Sequence, residues 1–219
     1  MIDCNDIGAV IFDFDGTLYD YRRISLKLIM KHPLDMFKMR AERDIRRNFK
    51  GIDFSNSETF YKYFCEKMKS RTGMNSKRTL DWYNKRYMPS MIEVLAQNYR
   101  YREKVLDLFK YLKNNSIKIA VLSDYPLVKE RMKAIGFTDE MLSLCDVISS
   151  AQDIGALKPC ARPFLEIAEK LKVNPEDVLV VGDRNDTDGQ GAKKAGMRFL
   201  KVKSHKSFGT DWKDIVEGL

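Results

Sequence analysis

Short apolar runs that end in polar or acidic residues recur along the chain and predict the strands of a parallel sheet. The first run, GAVIFDFDG, spans residues 8–16, and runs of the same form span residues 117–124 and 177–183. A weaker run, RFLKVK, begins at Arg198. Runs that are apolar on both faces and rich in β-branched and aromatic residues are typical of central parallel strands.

Apolar residues at helical spacing lie between these runs. Two sets recur at i, i+3, i+4 and i+7, which predicts two amphipathic helices. The sets are Val105, Leu108, Phe109 and Leu112, and Phe164, Ile167, Ala168 and Leu171. Strands that alternate with helices are joined by right-handed crossovers. The pattern therefore predicts an α/β fold with a doubly wound, Rossmann-like parallel sheet covered by helices on both faces.

Residues 19–98 interrupt this alternation. They contain no convincing strand pattern, but Phe60, Tyr63, Phe64 and Met68 form an apolar stripe at helical spacing. Polar breaks at residues 51–57 and 71–77 divide the segment into several helices. We therefore predict an all-helical domain at 19–98, inserted into a core made of residues 1–18 and 99–219.

The predicted insertion and the predicted core also differ in net charge. The net charge is +8, and residues 20–100 hold 19 Lys and Arg against 9 Asp and Glu, whereas the rest holds 20 against 22. The basic excess centres on RAERDIRRNFK, residues 40–50. A solvated helix face is its ordinary interpretation. The functional interpretation is steering of an anionic substrate, with nucleic-acid contact as a weaker alternative.

Other features of the composition limit the class of protein. No apolar stretch is long enough to cross a bilayer, and the first ten residues lack a basic segment followed by an apolar one. Cys4, Cys65, Cys145 and Cys160 show no CxxC spacing, so neither a zinc site nor a disulfide framework is indicated. We expect a cytoplasmic protein without a membrane partner.

Acidic and hydroxyl side chains follow three of the predicted strands. They are Asp13 and Asp15, then Ser123 and Asp124, then Asp183, Asp186 and Asp188. Ligands of open α/β sheets bind at the carboxyl ends of the strands, so we expect these groups to converge. Neighbouring carboxylates repel each other unless a cation lies between them. Oxygen ligands suit Mg²⁺, and the lack of nearby His or Cys argues against zinc.

Four segments in order carry a resemblance to a known family. They are DFDGT (13–17), VLSD (121–124), GALKP (155–159) and VVGDRNDTDGQGAKKAG (180–196). The chain resembles the haloacid dehalogenase superfamily, whose members are mostly Mg²⁺-dependent phosphatases, and within it the phosphoglycolate phosphatase-like branch. The resemblance covers the predicted core, and the insertion lies where the family places a helical cap. It thus implies a cap domain over residues 19–98.

The resemblance also implies roles for the acidic residues. Asp13 is expected to be the nucleophile that forms an aspartyl-phosphate, and Asp15 the general acid and base. The carboxylates of Asp13 and Asp183 and the backbone carbonyl of Asp15 are expected to hold Mg²⁺. Counting back from GAKKAG gives Asp188 as the second acid of the last motif, with Asp186 as the alternative.

Binding of the phosphoryl group is assigned by the same resemblance. Ser123 offers a hydroxyl, and Lys158 supplies positive charge and orients the nucleophile. Gly16 permits a close backbone approach and Thr17 helps to close the turn. The resemblance places Asp124 beside the phosphate, and Asp124 departs from the family pattern because many relatives carry Asn there.

Each motif alone also has an ordinary structural interpretation. Asp15 and Gly16 form a common turn dipeptide, Ser123 and Asp124 can cap a helix, and Lys158 before a proline is typically a solvated loop residue. The acids after residue 182 can interact with a helix dipole. Their joint occurrence in one order favours a single phosphoryl-transfer site.

These observations predict a Mg²⁺-dependent phosphohydrolase that cleaves a small phosphorylated metabolite. Asp15 argues against a dehalogenase, because displacement of halide needs no acid for a leaving alkoxide. A sugar phosphomutase of the same superfamily is the alternative enzyme. A non-catalytic module that binds Mg²⁺ or nucleic acid is the alternative from another class, although we do not expect nucleic acid as the partner.

Overall fold

The computed structural model describes residues 6–204 and 209–216 and has an open parallel sheet at its centre. Within those residues the sheet has five strands in the order β3-β2-β1-β4-β5. The strands are β1 (Ala9–Asp13), β2 (Lys118–Ser123), β3 (Val147–Ser150), β4 (Val178–Gly182) and β5 (Arg198–Lys201). All neighbouring pairs are parallel, which confirms the predicted α/β fold.

Helices alone make up the regular structure between β1 and β2. They are α1 (Ile24–Lys31), α2 (Met36–Asn48), α3 (Ser57–Thr72), α4 (Ser76–Trp82), α5 (Met88–Asn98) and α6 (Val105–Asn114). A 3₁₀ turn at Pro33–Asp35 precedes α2, and a π-helical turn at Tyr83–Tyr87 joins α4 to α5. The helices of the predicted cap are therefore present, whereas its boundaries at 19 and 98 remain predictions.

The remaining helices connect the strands of the core. They are α7 (Val128–Ala134), α8 (Asp139–Ser143), α9 (Ala151–Ile154), α10 (Arg162–Leu171), α11 (Gln190–Lys194) and α12 (Trp212–Val216). A 3₁₀ turn, Pro175–Asp177, precedes β4, and a π-helical turn, Asn185–Gly189, follows it. Cys65, Cys145 and Cys160 are free thiols, and Cys4 lies outside the described residues.

Strand β1 occupies the middle of the sheet because both of its faces are apolar. Its residues Ala9, Val10, Ile11 and Phe12 are fully buried. All the apolar residues predicted for α6 and α10 are buried as well, and Phe109 of α6 packs 5.3 Å from Phe12 between ring centroids. Burial of these side chains supplies the main driving force for assembly of the core. It also fixes Asp13 at the carboxyl edge of the central strand.

The polar breaks predicted in the insertion are helix ends. The side chain of Asn56 caps α3 by accepting the backbone N–H of Thr59 at 2.8 Å. Gly73 ends the same helix with a left-handed φ of +72°, a conformation that costs glycine little. Of the predicted apolar stripe, Phe60, Phe64 and Met68 are buried, whereas Tyr63 is 46% exposed and lies 5.8 Å from Phe54 between ring centroids.

Backbone hydrogen bonds attach the insertion to the core beside the predicted lysine motif. The N–H of Phe54 donates to the carbonyl of Gly155 at 2.8 Å, and the N–H of Leu157 donates to the carbonyl of Ile52 at 3.2 Å. The loop between α2 and α3 is thereby fixed against the loop that carries Lys158.

Among residues 6–204 and 209–216, no helix combines the length and the apolar character that a membrane span requires.

Candidate active site

Polar side chains from four segments of the core lie together at the carboxyl edge of the sheet. Asp13 is the last residue of β1, Ser123 is the last residue of β2, and Asp183 follows β4 directly. Because β1 pairs with both β2 and β4, the three strand ends are neighbours. Lys158 reaches the same edge from the loop after α9.

Three buried carboxylates form the centre of this site. Oxygens of Asp13, Asp183 and Asp188 lie within 4.8 Å of one another. Burial raises the pKa of Asp13 well above its usual value, and Asp188 raises it further although Lys158 opposes both. Burial and the charge of Asp188 raise the pKa of Asp183 to about 6. An all-oxygen donor set whose mutual repulsion is relieved by a cation fits Mg²⁺.

Lys158 provides a permanent positive charge beside two of these carboxylates. Its ammonium donates hydrogen bonds to Asp13 Oδ1 at 2.5 Å and to Asp188 Oδ1 at 2.7 Å. Burial alone would lower the pKa of Lys158, but the two carboxylates raise it well above its usual value. Its backbone N–H donates to the Asp124 carboxylate at 3.0 Å, and the Lys158–Pro159 peptide bond is cis. Asp124, which was predicted to lie beside the phosphate, therefore holds the loop that carries Lys158.

The turn after β1 is built around the nucleophile candidate. The hydroxyl of Thr17 donates to Asp13 Oδ2 at 3.0 Å. Gly16 has a φ of +98°, and a Cβ at this position would lie 2.6 Å from Asp183 Oδ2 and 2.5 Å from Tyr21 Cε1. Glycine is therefore required both by the backbone conformation and by the approach of Asp183.

Asp15 lies in a separate environment from Asp13. Its two carboxylate oxygens accept hydrogen bonds from Arg131 Nη2 at 2.5 and 2.6 Å. Tyr19 donates to Oδ1 at 2.5 Å, and Ser123 donates to Oδ2 at 2.9 Å. Burial alone would raise the pKa of Asp15, but the charge and hydrogen bonds of Arg131 outweigh it and lower the pKa. Asp15 is thus held as a carboxylate.

Arg131 is a site residue that the sequence analysis missed. Its side chain is fully buried on α7, between Val128 and Met132. Its guanidinium also donates to Ser123 Oγ at 2.8 Å and lies 4.8 Å from the centre of the Phe14 ring. The available signal was a basic residue within an apolar helical stripe, since Val128, Arg131 and Met132 are spaced i, i+3 and i+4.

The two acids that were left as alternatives in the last motif occupy different surroundings. Asp188 is buried in the carboxylate cluster, whereas the side chain of Asp186 is 53% exposed. Asp186 pairs with Lys50 of the insertion and with Arg184, which donates to its Oδ2 at 2.8 Å. These hydrogen bonds lower the pKa of Asp186. The structure therefore brings Asp188, and not Asp186, to Asp13.

A second arginine missed by the sequence analysis joins the insertion to the core. The guanidinium of Arg46, on α2, lies 3.9 Å from the centre of the Tyr125 ring. It donates to Glu42 Oε1 at 2.5 Å and to the Tyr83 hydroxyl at 2.7 Å, and it also bonds the side-chain oxygen of Gln152. Tyr125 follows Asp124 directly, so this contact fixes α2 beside the site.

Two adjoining cavities open at the carboxylate cluster. The catalytic cavity, of about 310 Å³, is lined on one side by apolar residues of the insertion, including Ile24, Leu28 and Met91. The basic cavity, of about 930 Å³, is lined mainly by charged residues. Both cavities are lined by Asp183, Lys158 and Arg43, so a ligand at the cluster has access to either one.

Comparisons with known proteins found a matching family model and several relatives. A family model described as haloacid dehalogenase-like hydrolase matches residues 10–202. The glyceraldehyde 3-phosphate phosphatase of Methanopyrus kandleri is 26% identical over 212 residues, which cover 91% of this chain and 85% of that protein. The phosphatase MT3486 of Mycobacterium tuberculosis is 29% identical over 207 residues, covering 90% of this chain and 87% of that protein.

Solved structures share the architecture. The crystal structure of β-phosphoglucomutase from Clostridium difficile superposes with a TM-score of 0.66 at 18% identity, covering 97% of this chain and 94% of that one. At this identity the likeness concerns the fold alone.

Proposed function

Since the chain belongs to the haloacid dehalogenase-like hydrolase family, we propose that it is a Mg²⁺-dependent phosphatase that cleaves a small phosphomonoester. Family membership confirms the resemblance drawn from the four motifs. The phosphatase names of its relatives support the reaction class. The observation that carries the proposal is the carboxylate cluster of Asp13, Asp183 and Asp188 with Lys158 bonded to two of its members.

Asp13 serves as the nucleophile in this proposal. Its carboxylate attacks phosphorus in line, a bond from its oxygen to phosphorus forms, and the bond to the leaving alkoxide breaks. Lys158 and Thr17 already bond the two oxygens of Asp13, so the side chain is oriented before substrate binds. Water then attacks the aspartyl-phosphate, releases inorganic phosphate and restores the carboxylate.

Asp15 serves as the general acid in the first step and as the general base in the second. Two adjacent carboxylates with different surroundings are a common arrangement for two different roles. Paired with Arg131, Asp15 is ready to accept the proton of the attacking water. To protonate the leaving alkoxide it must give up its bonds to Arg131, Tyr19 and Ser123, because these bonds lower its pKa whereas burial raises it.

Mg²⁺ fits the cluster, where the carboxylates of Asp13, Asp183 and Asp188 and the backbone carbonyl of Asp15 would hold it. When bound, the ion supplies positive charge that lets an anionic nucleophile approach an anionic phosphoryl group. Lys158 contributes the second positive charge at the same edge. The helices of the insertion limit access of water and contact the leaving group.

The proposal is tested by release of inorganic phosphate from p-nitrophenyl phosphate and simple alkyl phosphates. Wild-type protein with Mg²⁺ is compared with the same protein in EDTA and with Asp13→Asn. Steady phosphate release that needs both the metal and Asp13 supports a hydrolase. A sugar monophosphate is assayed in parallel, and transfer of its phosphate between sugar positions without net release would identify a mutase. Equal background rates in all samples would leave only a binding module.

A further inference from the structure

The basic cavity has an unusual concentration of positive charge. Among the described residues, its lining includes seven basic and three acidic side chains. The basic residues are Arg43, Arg46, Arg47, Lys50, Lys158, Arg184 and Lys201. Four of them lie on or directly after α2, within the basic segment at residues 40–50. The charge excess of the insertion is therefore directed partly at the active site, and not only at bulk solvent.

Most of these charges already have an acidic partner. Arg46 pairs with the buried Glu42, and Lys158 pairs with Asp13. Lys50 and Arg184 share Asp186. Four of the seven basic residues are therefore neutralised by acidic side chains of the protein. The other three are Arg43, Arg47 and Lys201.

Arg43 and Lys201 differ from the rest. In the part of the chain that the structure describes, neither side chain has a side-chain hydrogen bond or a close ion pair, and Arg43 has only the electrostatic attraction of its sequence neighbour Glu42, whose carboxylate already pairs with Arg46. Arg47 has only a long, exposed contact of 3.5 Å with Asp44. Arg43 comes from the insertion and Lys201 from the end of β5 in the core, so each part of the molecule contributes a cation that has no close ion pair among the described residues.

Arg43 is a cation of the basic cavity that also lines the catalytic cavity. It shares the catalytic cavity with Asp13, where a scissile phosphoryl group would bind. A guanidinium binds carboxylate and phosphate oxygens through two parallel hydrogen bonds, which an uncharged leaving group cannot match. A substrate that placed an oxyanion next to Arg43 would give this cation a hydrogen-bonded partner, whereas Glu42 already pairs with Arg46.

We propose that the basic cavity binds a second anionic group of the substrate, with Arg43 as its main contact and Arg47 and Lys201 beside it. The preferred substrates are then phosphomonoesters whose leaving group carries a carboxylate or a second phosphate. This inference rests on the proposed function only in that the scissile phosphate occupies the carboxylate cluster. The apolar side of the catalytic cavity packs against the carbon chain between the two anions.

A matched set of substrates tests the proposal. The propane-1,3-diol monophosphate has an uncharged end, 3-phosphooxypropionate has a carboxylate there, and propane-1,3-diol bisphosphate has a second phosphate. We expect kcat/KM to be at least about tenfold higher for one or both doubly anionic substrates, since one charge-assisted pair is worth that factor or more. Comparing the last two identifies which anion is preferred. Equal kcat/KM for all three substrates overturns the proposal.

Two arginine variants of α2 separate direct contact from long-range attraction. Arg43→Gln removes the proposed contact, whereas Arg40→Gln removes the same charge from an exposed position outside both cavities. We expect Arg43→Gln to abolish most of the preference for doubly anionic substrates and Arg40→Gln to retain it. Equal loss in both variants would mean that only the overall field matters and would overturn the proposal. Thermal melting of both variants checks that they fold.

A binding measurement keeps this inference separable from the proposed function. Calorimetry with Asp13→Asn protein and the bisphosphate measures affinity without turnover. Introducing Arg43→Gln into the Asp13→Asn protein should weaken this binding at least about tenfold relative to introducing Arg40→Gln. If wild-type protein releases no phosphate but this difference is found, the phosphatase proposal fails and the anion site stands. If phosphate is released but affinity does not depend on Arg43, only the anion site fails.

Discussion

Arg131 bonds Asp15 through both carboxylate oxygens, at 2.5 and 2.6 Å, although the two residues lie 116 positions apart in the chain. The arginine is fully buried and the side chain of Asp15 is 29% exposed. The pair therefore fixes the orientation of the proposed general acid and base from inside the core. Ser123 bonds both partners of this pair, and its contact with phosphate stays a prediction.

Asp15→Asn should destabilise the fold as well as slow the reaction. Removing one partner leaves the buried charge of Arg131 without compensation, which costs about 3 kcal/mol in the free energy of unfolding. Asp186→Asn breaks a largely exposed pair and should cost less than about 1 kcal/mol. Urea denaturation of both variants measures the difference, and equal losses would contradict the structural role assigned to Arg131.

Asp13→Asn should lower kcat for p-nitrophenyl phosphate by at least about a thousandfold, because an amide cannot replace the carboxylate nucleophile. Thr17→Val serves as the matched control, since it removes a hydrogen bond to Asp13 and leaves the nucleophile in place. We expect a loss of about tenfold for that variant. Substantial turnover by folded Asp13→Asn protein would exclude Asp13 as the nucleophile.

Binding of Mg²⁺ should raise the melting temperature of wild-type protein, because a ligand that binds only the folded state stabilises it. Asp188→Asn should lose this increase and Asp186→Asn should keep it, since only Asp188 lies in the carboxylate cluster. The measurement is a thermal melt with and without Mg²⁺ for each protein. Loss of the increase in Asp186→Asn alone would reverse the assignment of the last motif.

Stability of the metal-free protein should depend on pH through Asp183. Its pKa is about 6 in the folded protein against an ordinary value of 3.8, so the folded state binds this proton more tightly than the unfolded state. This contribution to stability is present below about pH 4 and is lost as the pH rises through about 6. It amounts to up to about 3 kcal/mol.

Comparison with Asp183→Asn isolates this effect from other titrations. The melting temperature of wild-type protein should fall relative to that of the variant between pH 4 and pH 7 in EDTA. Mg²⁺ should reduce the difference at pH 7, because the ion compensates the charge that the proton compensates at low pH. A difference that stays constant with pH would show that Asp183 titrates normally.

The central strands and the acidic site were predictable because their signals are local. Strand β1 is a continuous apolar run that ends at Asp13, and β4 is a similar run before Asp183. Parallel strands present ligand sites at their carboxyl ends, and this rule predicts from the sequence that the motifs meet at one edge of the sheet. The choice of Asp188 over Asp186 followed from the spacing of the last motif.

Other features were not predictable because they depend on packing between distant segments. Strand β3 has the sequence VISS and lies at the edge of the sheet, where burial is partial and the apolar pattern is weak. Arg131 and Arg46 are buried only because their partners, Asp15 and Tyr125, reach them in three dimensions. A basic residue on a helix is normally assigned to the surface, so sequence alone gives such pairs little weight.

The position of β1 in the middle of the sheet has a consequence for synthesis on the ribosome. Of the five described strands this one is translated first, yet its two hydrogen-bonding neighbours begin only at Lys118 and Val178. The nascent chain must therefore keep a strongly apolar strand without sheet partners while the whole helical segment before Lys118 is translated. A product truncated before Asp188 has neither the complete carboxylate cluster nor the last strand, β5, so incomplete translation yields inactive chains.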